Sequence, residues 1–312
     1  MNAKQLKILA AVVGALLAIW GITALLPSGT DRPVTDFRLP HIAADSIGVI
    51  TIATPVDTVV LARAANAAKA ESSWTVNGLT AAHGKVEDLI ATLGESVRPE
   101  LVAHSKTSFM RLGVDSTASR RLRVLAKASQ RALLDVIVSA QGVGFEGTFV
   151  RRPGDSAVYS WPGRLGELVR RSVNDWRDNV IATVATDSVR RIEVTRGTRH
   201  YVLRKESGHW RVGDAPADSA AAARLVAAFK TVTASGFPTP KQLDSAFRAN
   251  DRIERRVTVF GAGTKPLLSL DFDSTSNAFW VRRSTAPTIY RLNTWEADQL
   301  TPADSTLRRR AK

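Results

Sequence analysis

The longest uninterrupted apolar stretch runs from Ile8 to Leu26, ILAAVVGALLAIWGITALL. As a helix rising 1.5 Å per residue it spans about 28 Å, the thickness of a bilayer's hydrocarbon core. A cleaved signal peptide has a shorter apolar region ending in a small-x-small site, whereas this run leads into Leu25-Leu26-Pro27, so the pattern predicts a retained transmembrane helix. Lys4 and Lys7 precede it, which puts residues 1–7 in the cytoplasm and everything after Pro27 outside a bacterial cytoplasmic membrane. Ala10, Gly14 and Ala18 form a small-residue stripe, a candidate helix–helix contact that Ala-rich spans also produce when they merely face lipid.

Beyond the span, Pro27, Ser28, Gly29, Pro33 and Pro40 fall in a stretch with neither helical nor strand periodicity, a linker over 27–44. The pattern then alternates. Ile47 to Ile52, Thr58 to Leu61 and Trp74 to Val76 read as strands, and Val86, Leu89, Ile90 and Leu93 share one helical face. The same order returns with Ile192 to Val194, Tyr201 to Leu203, Trp210 to Val212 and a helix whose face carries Leu225, Ala228, Phe229 and Val232. Asp45-Ser46 and Asp187-Ser188 open the two copies. Phe109 and later Phe247 precede further strands, and Val150-Arg151-Arg152 before Val158-Tyr159 answers Val281-Arg282-Arg283 before Ile289-Tyr290. A period of about 135 residues suits tandem domains rather than a solenoid. The expectation is α+β: two repeated units, 45–178 and 179–305, of mainly antiparallel sheet with amphipathic helices on one face, then a frayed basic tail over 306–312. Trp74 and Trp210 belong under those helices.

Composition narrows the chemistry. No cysteine occurs among the 312 residues, which removes disulfides, thiolate metal sites and cysteine nucleophiles. A net charge of +14 would suggest nucleic acid for a cytoplasmic chain. Outside the membrane the available polyanions are acidic lipids and glycans, and the basic residues are scattered, so nucleic acid is not expected. Gly142-Val143-Gly144-Phe145-Glu146-Gly147 matches G-x-G-x-x-G, but a strand follows where a phosphate-binding helix is required, so it reads as a hairpin turn. His41, His83, His104, His200 and His209 lack metal-ligand spacing, and no G-x-S-x-G elbow occurs. Asp187 with Glu193, and Glu87 with Asp88, are carboxylate pairs that carry no meaning without geometry. No catalytic, cofactor or metal residue is nominated, and a non-enzymatic protein is expected.

The two W-x-V strands, Phe109-x-x-Leu112-Gly113-Val114-Asp115 and Asp175-Trp176-Arg177-Asp178 resemble a bacterial family catalogued as domain of unknown function 4340. Phe247 departs from the pattern, being followed by Arg248-Ala249-Asn250-Asp251 without the Leu-Gly pair. The resemblance implies a membrane-anchored envelope protein of the kind found beside ABC-type export or gliding-motility transport systems, with no established catalytic residues. Accessory or scaffold work with ABC-type transporter subunits is the expectation from it. Binding of anionic envelope lipid or glycan is the alternative, and an envelope enzyme the more remote one.

Overall fold

The computed structural model describes residues 41–64, 74–129, 131–139, 148–243, 246–247 and 253–309. The expected span Ile8 to Leu26, with Ala10, Gly14 and Ala18, and the Gly142 to Gly147 turn lie outside them. Among the described residues no helix is long and apolar enough to cross a membrane.

Alternating burial builds the first sheet. Its strands are β1 (Ile47–Ala53), β2 (Thr58–Arg63), β3 (Trp74–Val76), β4 (Leu79–Thr80), β5 (Glu100–Ala103), β6 (Arg120–Ala126), β7 (Ala132–Val138), β8 (Thr148–Arg151) and β9 (Val158–Trp161), in the order β4-β3-β2-β1-β6-β7-β8-β9-β5. A short pair joins β10 (Val180–Ala182) to β15 (Val232–Thr233). The second sheet contains β11 (Arg191–Arg196), β12 (Arg199–Glu206), β13 (His209–Val212), β14 (Ala215–Pro216), β16 (Arg255–Phe260), β17 (Pro266–Ser274), β18 (Ala278–Arg283) and β19 (Ile289–Asn293), in the order β14-β13-β12-β11-β16-β17-β18-β19. Every pairing within the two sheets is antiparallel.

The two orders coincide except for β5, and the registers coincide too. Leu61 faces Val76 as Leu203 faces Val212, so Trp74 and Trp210 occupy one position, each with a cation above it, Arg63 at 4.9 Å and Lys205 at 5.9 Å. Trp74 is buried, whereas Trp210 is only partly buried at the margin of its core, short of the packing expected for it.

Each sheet packs one face on helices. Helix His83–Gly94 buries Val86, Leu89, Ile90 and Leu93 on the first sheet. Helix Ser219–Ala228, capped by the Asp218 carboxylate accepting from the Ala221 N–H, buries Ala221, Ala222 and Leu225 on the second. Val232, placed on that helical face by the sequence, instead lies in β15: the helix closes at Phe229, whose ring is fully buried, and the chain turns out to pair with β10. Helix Thr294–Leu300 is tied down by Asp298, which accepts from Arg255 at 2.6 Å and Arg196 at 3.1 Å.

Two boundaries move. Ile42, assigned to the linker, is buried in the first core. At the other end helix Asp304–Leu307 crosses the expected border of the basic tail, with Leu307 2% exposed in the second core. Arg308 forms an antiparallel bridge with Ala217, so the start of the tail is held rather than frayed.

Candidate functional site

The repeated motifs of the sequence meet on the sheet faces away from the helices. In the first unit the segment between β5 and β6 folds Phe109, Leu112 and Val114 onto Ile137, Phe149 and Val158. The Arg151 guanidinium lies 4.3 Å from the Phe109 ring and donates through Nε to the Val114 carbonyl at 2.8 Å. In the second unit Phe247 packs with Ala246, Trp280 and Ile289, and Arg282 stands 4.2 Å from its ring. Phe247 occupies the left-handed region at φ 59, held by its N–H donating to Asp273 Oδ2 at 2.8 Å. The Phe and Val-Arg-Arg repeats are thus two halves of one cation–π contact made in each unit, a pairing that sequence spacing alone does not reveal.

Asp175-Trp176-Arg177-Asp178 forms the joint between the units. Ser172 caps a one-turn helix in a reciprocal box with Asp175, and Trp176 is fully buried in the first core. The Asp175 carboxyl is held below its usual value by the Ser172 hydroxyl, with burial opposing. Backbone bonds from Ala82 to Trp176 and from Asp178 to Thr80 fix the segment on the first unit. Arg177 then reaches across and stacks on Phe237 at 3.5 Å, and Phe237 meets Tyr290 at 5.6 Å. Partial burial lowers the Arg177 pKa and raises that of Tyr290. Asn179 exchanges backbone and side-chain bonds with Ala234, while Gly236 bridges Arg291 of β19.

Two cavities accompany this framework. One of about 490 Å³ in the first unit is bordered by Ile42, Ala44, Trp74 and Ile90; its Arg63 is already committed to the Ile47 and Ala44 carbonyls. The other, about 430 Å³, opens where the β16–β17 hairpin meets the end of β18. Behind its Arg256, the buried Asp271, 3% exposed, accepts from Arg256 Nε at 2.6 Å and faces Arg282 at 3.7 Å. A chain of hydroxyls runs beside it, Thr258 to Ser269 at 3.2 Å and Ser269 to Ser284 at 3.1 Å.

The remaining sequence candidates stay apart. All five histidines are exposed, with His83 paired to Glu87 at 2.9 Å and His200 Nδ1 3.2 Å from the Thr195 hydroxyl. Glu193 pairs with Arg191 at 3.3 Å, and Asp187 sits in a separate 3-10 turn. Among the described residues no group of three or more His, Asp or Glu side chains is placed to hold a metal ion.

A family model described as a domain of unknown function, DUF4340, matches residues 74–251, from the first W-x-V strand to just past Phe247. No curated protein and no solved structure matches the chain.

Proposed function

The chain belongs to the DUF4340 family, and on that premise we propose that it is a non-enzymatic accessory or scaffold subunit of an envelope complex of the ABC-type transport class. In this reading Ile8 to Leu26 anchors the chain once in the cytoplasmic membrane, and the two sheet units stand on the extracytoplasmic side. The observation that carries it is the joint: Arg177 on Phe237 links two units of like strand order, giving one body to present to partners. The transport class comes from the family resemblance and not from a residue.

Crosslinking followed by mild-detergent purification tests the proposal. Recovery of a transporter permease, reduced by Gly14→Leu through separation of the helices, is the expected result. Recovery of the protein alone across detergents, with unchanged transport in a deletion strain, overturns it. Reporter fusions after residue 60 test the topology, and activity confined to the cytoplasm would reverse the orientation. A second reading, binding of an anionic envelope ligand, is favoured by the cationic cleft beside Asp271.

A further inference from the structure

The two units diverge at one matched position, and the divergence opens a site in the second. Arg121 faces Ile137 across β6 and β7 as Arg256 faces Asp271 across β16 and β17, so Arg121 corresponds to Arg256 and Ile137 to Asp271. In the first unit Arg121 is closed off: Nε and Nη2 both donate to Asp135, at 2.8 and 2.7 Å. The Ile137 side chain packs under Phe109. In the second unit the carboxylate has moved to the facing position and is buried, and it holds Arg256 by Nε alone. The terminal nitrogens of Arg256 make no hydrogen bond among the described residues, on a guanidinium whose direction Asp271 fixes. A preoriented planar cation with free donors matches an oxyanion.

What surrounds Arg256 enlarges the ligand beyond a bare ion. Lys265 and Arg283, both exposed and without an ion pair among the described residues, border the same cleft. The hydroxyls of Thr258, Ser269 and Ser284 line its floor, and Leu267, 47% exposed, forms one apolar wall. Three cations set against a row of hydroxyls, in a volume within the range of about 300–1,000 Å³ usual for small-ligand sites, suit a polyhydroxylated ring carrying a carboxylate. Pro266, Leu267 and Leu268 supply an apolar side against which the C–H face of such a ring can lie.

We propose that this cleft on the second unit binds an acidic saccharide, its carboxylate on Arg256 between Lys265 and Arg283 and its hydroxyls on Thr258, Ser269 and Ser284. The inference rests on the anion-binding reading and is independent of the scaffold reading, which copurification decides separately. The full chain in zwitterionic nanodiscs is titrated calorimetrically with digalacturonate, neutral digalactose and inorganic phosphate, and its binding to phosphatidylglycerol vesicles is measured in parallel. Expected are digalacturonate binding that weakens with salt, and affinity at least about tenfold lower for digalactose and for phosphate. Arg256→Gln and the double variant Lys265→Gln/Arg283→Gln should each lose about tenfold or more, whereas Arg121→Gln in the first unit should lose nothing. Should Arg256→Gln fail to fold, the double variant decides, since both its residues are exposed. Equal binding of the neutral sugar, equal binding of phosphate alone, a double variant that binds normally, or cleft-dependent binding only to the vesicles would each overturn the proposal.

Discussion

At the residue scale the joint depends on a small reciprocal cap. Ser172 and Asp175 satisfy each other's backbone N–H groups, which starts the turn that delivers Trp176 to the first core and Arg177 to the second unit. Ser172→Ala should therefore lower unfolding stability by about 0.5–2 kcal/mol at neutral pH, read from urea titrations. The pH dependence has a definite sign. The Asp175 carboxyl is depressed in the folded protein below the ordinary 3.8, so its contribution is present above that value and is lost as pH falls through the folded one. The Ser172→Ala penalty should consequently shrink in urea titrations run below about pH 3.8; a penalty unchanged with acid would show that the carboxylate plays no part. Asp175-Trp176-Arg177-Asp178 was visible in the sequence as a motif, and so were the Phe and Val-Arg-Arg repeats. Their contacts were not, because Phe109 meets Arg151, and Arg177 meets Phe237, only after sheet register and topology have brought distant segments together.

At the scale of elements, strand alternation and the first helical face were legible because one-sided burial leaves a period in the sequence. Where two elements share an apolar run, that period misleads. Leu225, Phe229 and Val232 keep helical spacing across the end of helix Ser219–Ala228, yet Lys230-Thr231-Val232-Thr233 carries the β-branched residues of β15. Bulges leave even less trace. The register of β1 slips between Ile47 and Val49, at Gly48, where a Cβ would lie 2.7 Å from the Cα of Lys127. Since that neighbour is backbone, Gly48→Ala should cost about 1–3 kcal/mol. Gly84 offers the opposite case: it is helical and nothing lies within 4 Å of its Cβ position. Gly84→Ala should raise stability by about 0.4–1 kcal/mol. Urea unfolding of both variants checks the pair, and a neutral Gly48→Ala would mean that the bulge can open.

At the scale of the whole molecule, composition announced excess positive charge but could not say where it would be left unneutralised. That depends on which arginines the sheets pair with carboxylates: Arg121 is consumed by Asp135, while Arg256 is oriented by Asp271 and left half free. The relation between the units is likewise set by a few contacts rather than by a shared core, since the two principal clusters contain no residue in common. Arg177 on Phe237 is the side-chain contact of that joint most open to test by truncation, because Phe237 is buried, Arg177 is half-buried, and a cation–π pair is worth about 0.5–2 kcal/mol. Arg177→Ala should therefore loosen the joint without unfolding either sheet. Amide exchange is the measurement. Protection at Ala234, Ser235 and Arg291, whose N–H groups bond to Asn179, Arg291 and Gly236, should fall by about tenfold or more, corresponding to about 1.4 kcal/mol, while amides of β6 and β16 exchange as before. Equal loss of protection across both sheets would mean that the units fold as one cooperative body. Protection unchanged at Ala234 and Arg291 would mean that the second unit's own backbone bonds hold the segment around Phe237 unaided, and that Arg177 adds nothing to the body on which the scaffold reading depends.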